Sequence, residues 1–179
     1  ARAGKSGLTS YSAEKVYVGV RDSYPFHPSI KDLYARFKEN PNFQQTRGLI
    51  RLMRQVIRQF YESGQADQAF LINVFDIDLN HSITLTMIRE IKPSLDNAVS
   101  HDIAQHGKAV AEIIDAQYEE DSHFPYAQTL AKLLLMSSLN DTAHGLQGLS
   151  DSDMLGYLCA PGVDLNQYKK VLEEIKTQC

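Results

Sequence analysis

The sequence predicts a mainly α-helical chain with at most one or two short strands, and three observations carry that expectation. Apolar residues recur at helical spacing over 42–64 and again in three segments after residue 125. Start and stop signals bracket those segments. A chain of 179 residues with 43% hydrophobic content can also bury one sizeable core or two small ones, which excludes global disorder.

From the N-terminus, Gly4-Lys5-Ser6 matches the tail of a phosphate-binding loop. The loop's first glycine and preceding strand are missing, so a polar lead-in over 1–23 is expected. Ser12 can cap a helix over 12–21, although Val16, Val18 and Val20 alternate as a strand would; the helix is favoured. Tyr24-Pro25-Phe26-His27-Pro28 reads as a rigid extended corner, because each proline fixes its own φ and restricts the residue before it. His27 is expected to serve a structural hydrogen bond. Ser29 with Asp32 predicts the cap of a helix whose Ile30, Leu33, Tyr34 and Phe37 share one face, ending near Asn40-Pro41.

The segment 42–64 carries the strongest pattern. Leu49, Leu52, Met53, Val56, Ile57 and Phe60 merge into one apolar face. Arg47, Arg51, Arg54 and Arg58 step by four, three and four into a cationic stripe on the other side. Asn42 with Gln45 predicts a capping box, Thr46 is a second candidate N-cap, and Gly64 supplies the stop. Residues 69–75 are rich in strand formers and predict a buried strand or extended segment. Asp76 and Asp78 then read as a turn rather than a metal site. A helix is expected over 82–91, stopped by Lys92-Pro93, followed over 94–120 by one long helix or two with Gly107 as the break.

After Pro125 three helices are predicted, over 126–139, 151–159 and 165–177, with Ser150 and Asp164 as caps and Ala160-Pro161-Gly162 as the turn. That is helix-turn-helix spacing, and the chain ends before the β-hairpin of a winged helix, giving an incomplete winged-helix-like unit. In the last helix Leu165, Tyr168, Val171, Leu172 and Ile175 face inward, leaving Lys169 and Lys170 among mixed charges outside. A packing role suits that face better than DNA reading.

Composition bounds the functional classes. A net charge of −4 gives no general attraction to nucleic acid, so phosphate binding must come from a local patch such as the arginine stripe. Cys159 and Cys179 form neither a disulfide framework nor a CxxC zinc pattern, which favours a reducing compartment. With no apolar run long enough for a bilayer and no signal-peptide core, a cytoplasmic protein without membrane association is expected. The start at Ala1 and the stop at Cys179 suggest a piece of something longer. His101-Asp102, with His81 before it and Asp141 or Asp151 after it, has the order of ligands in HD-type metal phosphohydrolases. That is the enzymatic alternative, on a loose spacing, and no metal is expected.

Tyr24-Pro25-Phe26-His27-Pro28, followed by Asn42-Phe43-Gln44-Gln45-Thr46-Arg47-Gly48 leading into Leu49-Ile50-Arg51-Leu52, resembles the region after the nucleotide-binding core in a group of large bacterial P-loop ATPases. That group was long catalogued as a domain of unknown function, and its relatives include the PglY-like and BrxC-like ATPases of phage-defence systems. The motifs cover about residues 24–60. The resemblance implies a helical lid over 24–64, a short strand and helical bundle over 65–124 and the helix-turn-helix unit over 125–179. It implies that Arg47 is a sensor 2-like arginine reaching nucleotide phosphates, with Thr46 and Gly48 as positioning neighbours. ATP would be held by an upstream P-loop domain absent from this chain, with neighbouring subunits as further partners. Complete Walker A and Walker B motifs are absent, so no catalytic residue is expected here. The binding alternative makes Arg51, Arg54, Arg58, Lys169 and Lys170 a nucleic-acid or phosphate surface.

Overall fold

The computed structural model describes residues 12–37, 46–67, 69–118, 124–139, 149–160 and 163–178, and the chain is mainly α-helical. Helix α1, Ala13–Ser23, is fastened by the Ser12 hydroxyl, which accepts from the Lys15 amide at 3.1 Å. The valine alternation yields to this cap: on a helix Val16 and Val20 share a face one turn apart, while Val18 turns outward. The corner after α1 contains a cis Tyr24-Pro25 bond. Gly19 allows α1 to lie close on it, since a Cβ there would stand 2.9 Å from Cγ of Pro28.

Helix α2, Ser29–Phe37, corrects the expected cap. Ser29 already lies inside the helix, and His27 does the capping: its Nδ1 accepts from the Ser29 amide at 3.1 Å and lies 2.8 Å from the Ser29 hydroxyl. Asp32 instead accepts from the Tyr157 hydroxyl at 3.0 Å, a partner 125 residues away that local pattern cannot reveal. The Tyr34 and Phe37 side chains and the stop at Asn40-Pro41 fall outside the described residues.

Helix α3, Thr46–Glu62, buries Leu52, Val56 and Phe60 and stops at Gly64, whose φ of 74° favours glycine. The Asn42–Gln45 box and the Thr46 and Leu49 side chains lie outside the described residues, as do Gly4-Lys5-Ser6. No strand forms over 69–75. Among the described residues the one β contact is an isolated parallel bridge between Phe26 and Ile72, with His27 N and Ile72 N donating to Ile72 O and Pro25 O, each at 2.9 Å. A strand needs a partner along its length, whereas Asn73 and Asp76 close a turn here: the Asp76 carboxylate accepts from the Asn73 amide at 2.7 Å. The apolar residues are used even so, with Ile72, Val74, Ile77 and Leu79 all buried from a loop.

Helix α4, Ser82–Ile91, follows, capped by the His81 ring. Residues 93–103 form three short helical pieces, Pro93–Leu95, Asp96–Ala98 and the π-helical Val99–Ile103. The chain then breaks at His106 and Gly107, both at positive φ, before α5, Val110–Gln117. Of the two expectations for 94–120, the broken helix is the one realised.

Helix α6, Tyr126–Ser138, is the centre of the bundle, buried at Ala127, Leu130, Leu133 and Met136, with α2, α5 and the π-helical piece against it. Its N-terminus is capped across space: the Asp115 carboxylate of α5 accepts from the Ala127 and Gln128 amides at 2.7 and 2.9 Å. Helix α7, Asp151–Tyr157, starts at Ser150, whose hydroxyl accepts from the Asp153 amide at 3.1 Å. In α8, Leu165–Gln178, Asp164 caps by accepting from the Asn166 amide at 2.9 Å. Helix α8 packs chiefly on α6 and α5, burying Tyr168 against Tyr126, their ring centroids 4.8 Å apart. One hydrophobic cluster runs from Leu33 to Leu172 and crosses the sequence divisions at 64/65 and 124/125. Among the described residues no helix is long and apolar enough to cross a membrane.

Candidate functional site

The cationic stripe is exposed as its spacing requires, but its members differ in company. Arg51 reaches Glu90 of α4 at 3.2 Å, and Arg58 reaches Glu62 one turn on at 2.8 Å. Arg47 and Arg54 make no ion pair among the described residues. Arg47 and Gly48 lie in the first turn of α3, the end of a helix that favours an anion. Lys169 and Lys170 are exposed on α8, whose packing partners, α6 and α5, differ from the α4 partner of α3.

The histidine–acid order does not assemble a metal centre from its described members. His81 Nδ1 accepts from the Ile83 amide at 3.3 Å, and exposed His101 pairs with its neighbour Asp102. Among the described residues no group of three or more metal-ligating side chains converges; Asp141 lies outside them.

A polar cleft of about 450 Å³, which no sequence motif announced, opens at the C-terminal foot of α3. Gln59 of α3 builds one wall. Its amide oxygen accepts from the Asp78 backbone at 3.1 Å and its amide nitrogen donates to Thr84 Oγ1 at 2.7 Å, tying the loop to α4. Asp76, Asp78 and His81 line the loop side, and Thr129 and Lys132, one turn apart on α6, line the floor. Because His81 Nδ1 accepts an N–H, its proton sits on Nε2. Burial pushes the Asp76 carboxyl up to about 6. Burial also lowers the Lys132 ammonium from its ordinary value, opposed by Asp78, Asp76, Asp115 and Glu112. None of those four carboxylates comes within 4.0 Å of it. Two of them are occupied elsewhere: Asp115 caps α6, and Glu112 accepts from the Gln105, Gly107 and Ala109 amides and from Asn80. The signal for Lys132 is a lone cation in the apolar run 130–136 of a helix. Arg47, twelve residues up α3 from Gln59, stands about 18 Å away along the helix axis at 1.5 Å per residue.

A family model described as DUF499 second domain matches residues 7–157. The chain belongs to the DUF499 second domain family. The matched span covers α1 to α7 and the whole cleft lining, while α8, which buries Tyr168 beneath the cleft floor, lies beyond it. No curated protein and no solved structure matches the chain.

Proposed function

We propose that this chain is a non-catalytic helical module of a larger, AAA+-like P-loop ATPase, related to the PglY-like and BrxC-like enzymes, in which Arg47 senses nucleotide bound by another domain. The observation that carries the reading is the division of the arginine stripe. Arg51 and Arg58 pair with Glu90 and Glu62, whereas exposed Arg47 and Arg54 have no described acidic partner, and of these two only Arg47 stands at the helix start. A guanidinium there stays charged, forks onto phosphate oxygens and adds to the anion preference of a helix N-terminus. The family description, a second domain, agrees with a module that works beside another. Helix α3 would then act as a lid element, its apolar face transmitting closure to the bundle.

The same ion pairs count against a nucleic-acid surface, since they remove half of the stripe's charge and leave Lys169 and Lys170 on a separate helix. The test is the ATPase rate of the intact parent carrying Arg47→Ala, with Arg54→Ala as control. A loss of about tenfold or more in kcat for Arg47→Ala alone is expected, as for removal of a charge-stabilising contact. Unchanged turnover and nucleotide affinity would remove the sensor role.

A further inference from the structure

We propose that the cleft at the foot of α3 binds a small amino-acid-like zwitterion, its carboxylate received by Lys132 and His81 and its ammonium by Asp76 and Asp78. Donor and acceptor accounting around the cleft supports this. Gln59 is engaged with Asp78 and Thr84, Ser63 donates to the Phe60 carbonyl, and one oxygen of Glu62 accepts from Arg58. Four groups on the loop wall and the floor keep capacity among the described residues, besides the second Glu62 oxygen and the Gln65 amide on the exposed rim. Lys132 has no hydrogen-bond acceptor or ion pair for its three N–H bonds. His81 retains its Nε2–H. Asp76 uses one carboxylate oxygen on Asn73, and Asp78 one on the Asn80 amide, leaving the other oxygen of each. Asp78 is exposed and Asp76, His81 and Lys132 are half-buried, so water serves them in the open cleft, and a ligand that replaces this water must offer acceptors to the two donor groups and donors to the two carboxylates, carrying both signs.

Other ligand chemistries fit less well. A phosphate-like anion would meet two carboxylates with one ammonium to compensate them. A divalent cation would find no third ligand converging with Asp76 and Asp78 among the described residues, and a competing lysine across the cleft. A neutral polyol would leave the charges of both walls unmatched. A volume of about 450 Å³ suits a free amino acid or a chain terminus of that size.

The test is saturation-transfer NMR of the full chain against a panel of L-amino acids, with methylamine, acetate and ribose as single-feature controls. At least one amino acid is expected to bind with a Kd of about 1 mM or tighter, and each control about tenfold more weakly or worse. Lys132→Met and Asp78→Asn should each weaken that binding about tenfold while far-UV circular dichroism stays unchanged. Asp78→Asn retains the oxygen that accepts from Asn80, so it probes charge without dismantling the loop. Absence of binding by every amino acid, equal binding of acetate or ribose, or affinity unaltered in both variants would overturn the assignment. None of these outcomes bears on Arg47.

Discussion

His27 and Lys132 both turn a titratable nitrogen inward, His27 buried and Lys132 half-buried in a cleft, and they are held there in opposite ways. His27 is enclosed by its own neighbourhood: Ser29, two residues on, gives Nδ1 both its amide and its hydroxyl. Burial lowers its pKa to about 4, so it rests neutral at pH 7 and acts as a helix cap. Lys132 has no such local partner. It is set in a cleft among acids from the 76–78 loop and from α5, two of which are committed to other backbones. The contrast teaches how to separate buried polar groups. One satisfied within a turn of its own position serves the fold; one left unsatisfied, at the meeting point of distant segments, is available to a ligand.

The largest test of that contrast removes the cleft floor. Tyr168→Ala should cost roughly 3–5 kcal/mol in urea unfolding, because it empties a fully buried aromatic site under Thr129. Retained stability would mean that the floor collapses freely and that the cleft geometry is soft.

Next in size are opposed pH dependences. His27 has its folded pKa depressed from 6.5 to about 4. In that window the unfolded chain holds more protons, so stability falls as pH drops, by up to roughly 3 kcal/mol. Asp76 has its folded pKa raised from 3.8 to about 6. In that window the folded chain holds more protons, so stability rises as pH drops, by a similar amount of roughly 3 kcal/mol. The two nearly cancel between pH 4 and 6. Asp76→Asn should therefore steepen the acid-side loss seen in urea midpoints, and His27→Gln should flatten or reverse it. Identical profiles for wild type and both variants would contradict the burial of either group.

Smaller, and aimed directly at the contrast, are two substitutions at pH 7. His27→Ala should destabilise by about 1–3 kcal/mol, since it removes a cap and leaves the Ser29 hydroxyl unpaired. Lys132→Met should be neutral or stabilising by about 1 kcal/mol, because a methionine of similar volume lifts the desolvation cost. If the two cost the same, Lys132 is as structural as His27. Smallest of all, Arg51→Ala should change stability by less than about 1 kcal/mol, since both partners of its ion pair are more than half exposed.

Much of the helix list was legible because capping is local. Ser12, Ser150 and Asp164 each bond an amide two or three residues ahead, and Gly64 and Gly107 adopt the positive φ that marks them as breaks. Residues 69–75 misled for the converse reason. Their strand propensity was real, but a ladder needs a partner at sequence-distant positions, and the chain supplies one bridge at Phe26 and then a turn. Ser29 misled because the cap came from an imidazole on the far side of a proline, a donor–acceptor pairing outside the usual cap residues.

The amino-acid sequence by itself determined the helical class, the breaks, the amphipathic α3 and the outward arginine stripe, since all of these follow from contacts within about four residues. Only the tertiary structure decided which arginines find acids, that Asp115 caps a helix beginning eleven residues after it, and that Lys132 shares a cleft with Asp76 and Asp78. Those outcomes depend on how α3, the 69–80 loop and α6 are brought together by one shared core, and burial of that kind is a property of the assembled chain rather than of any stretch of it.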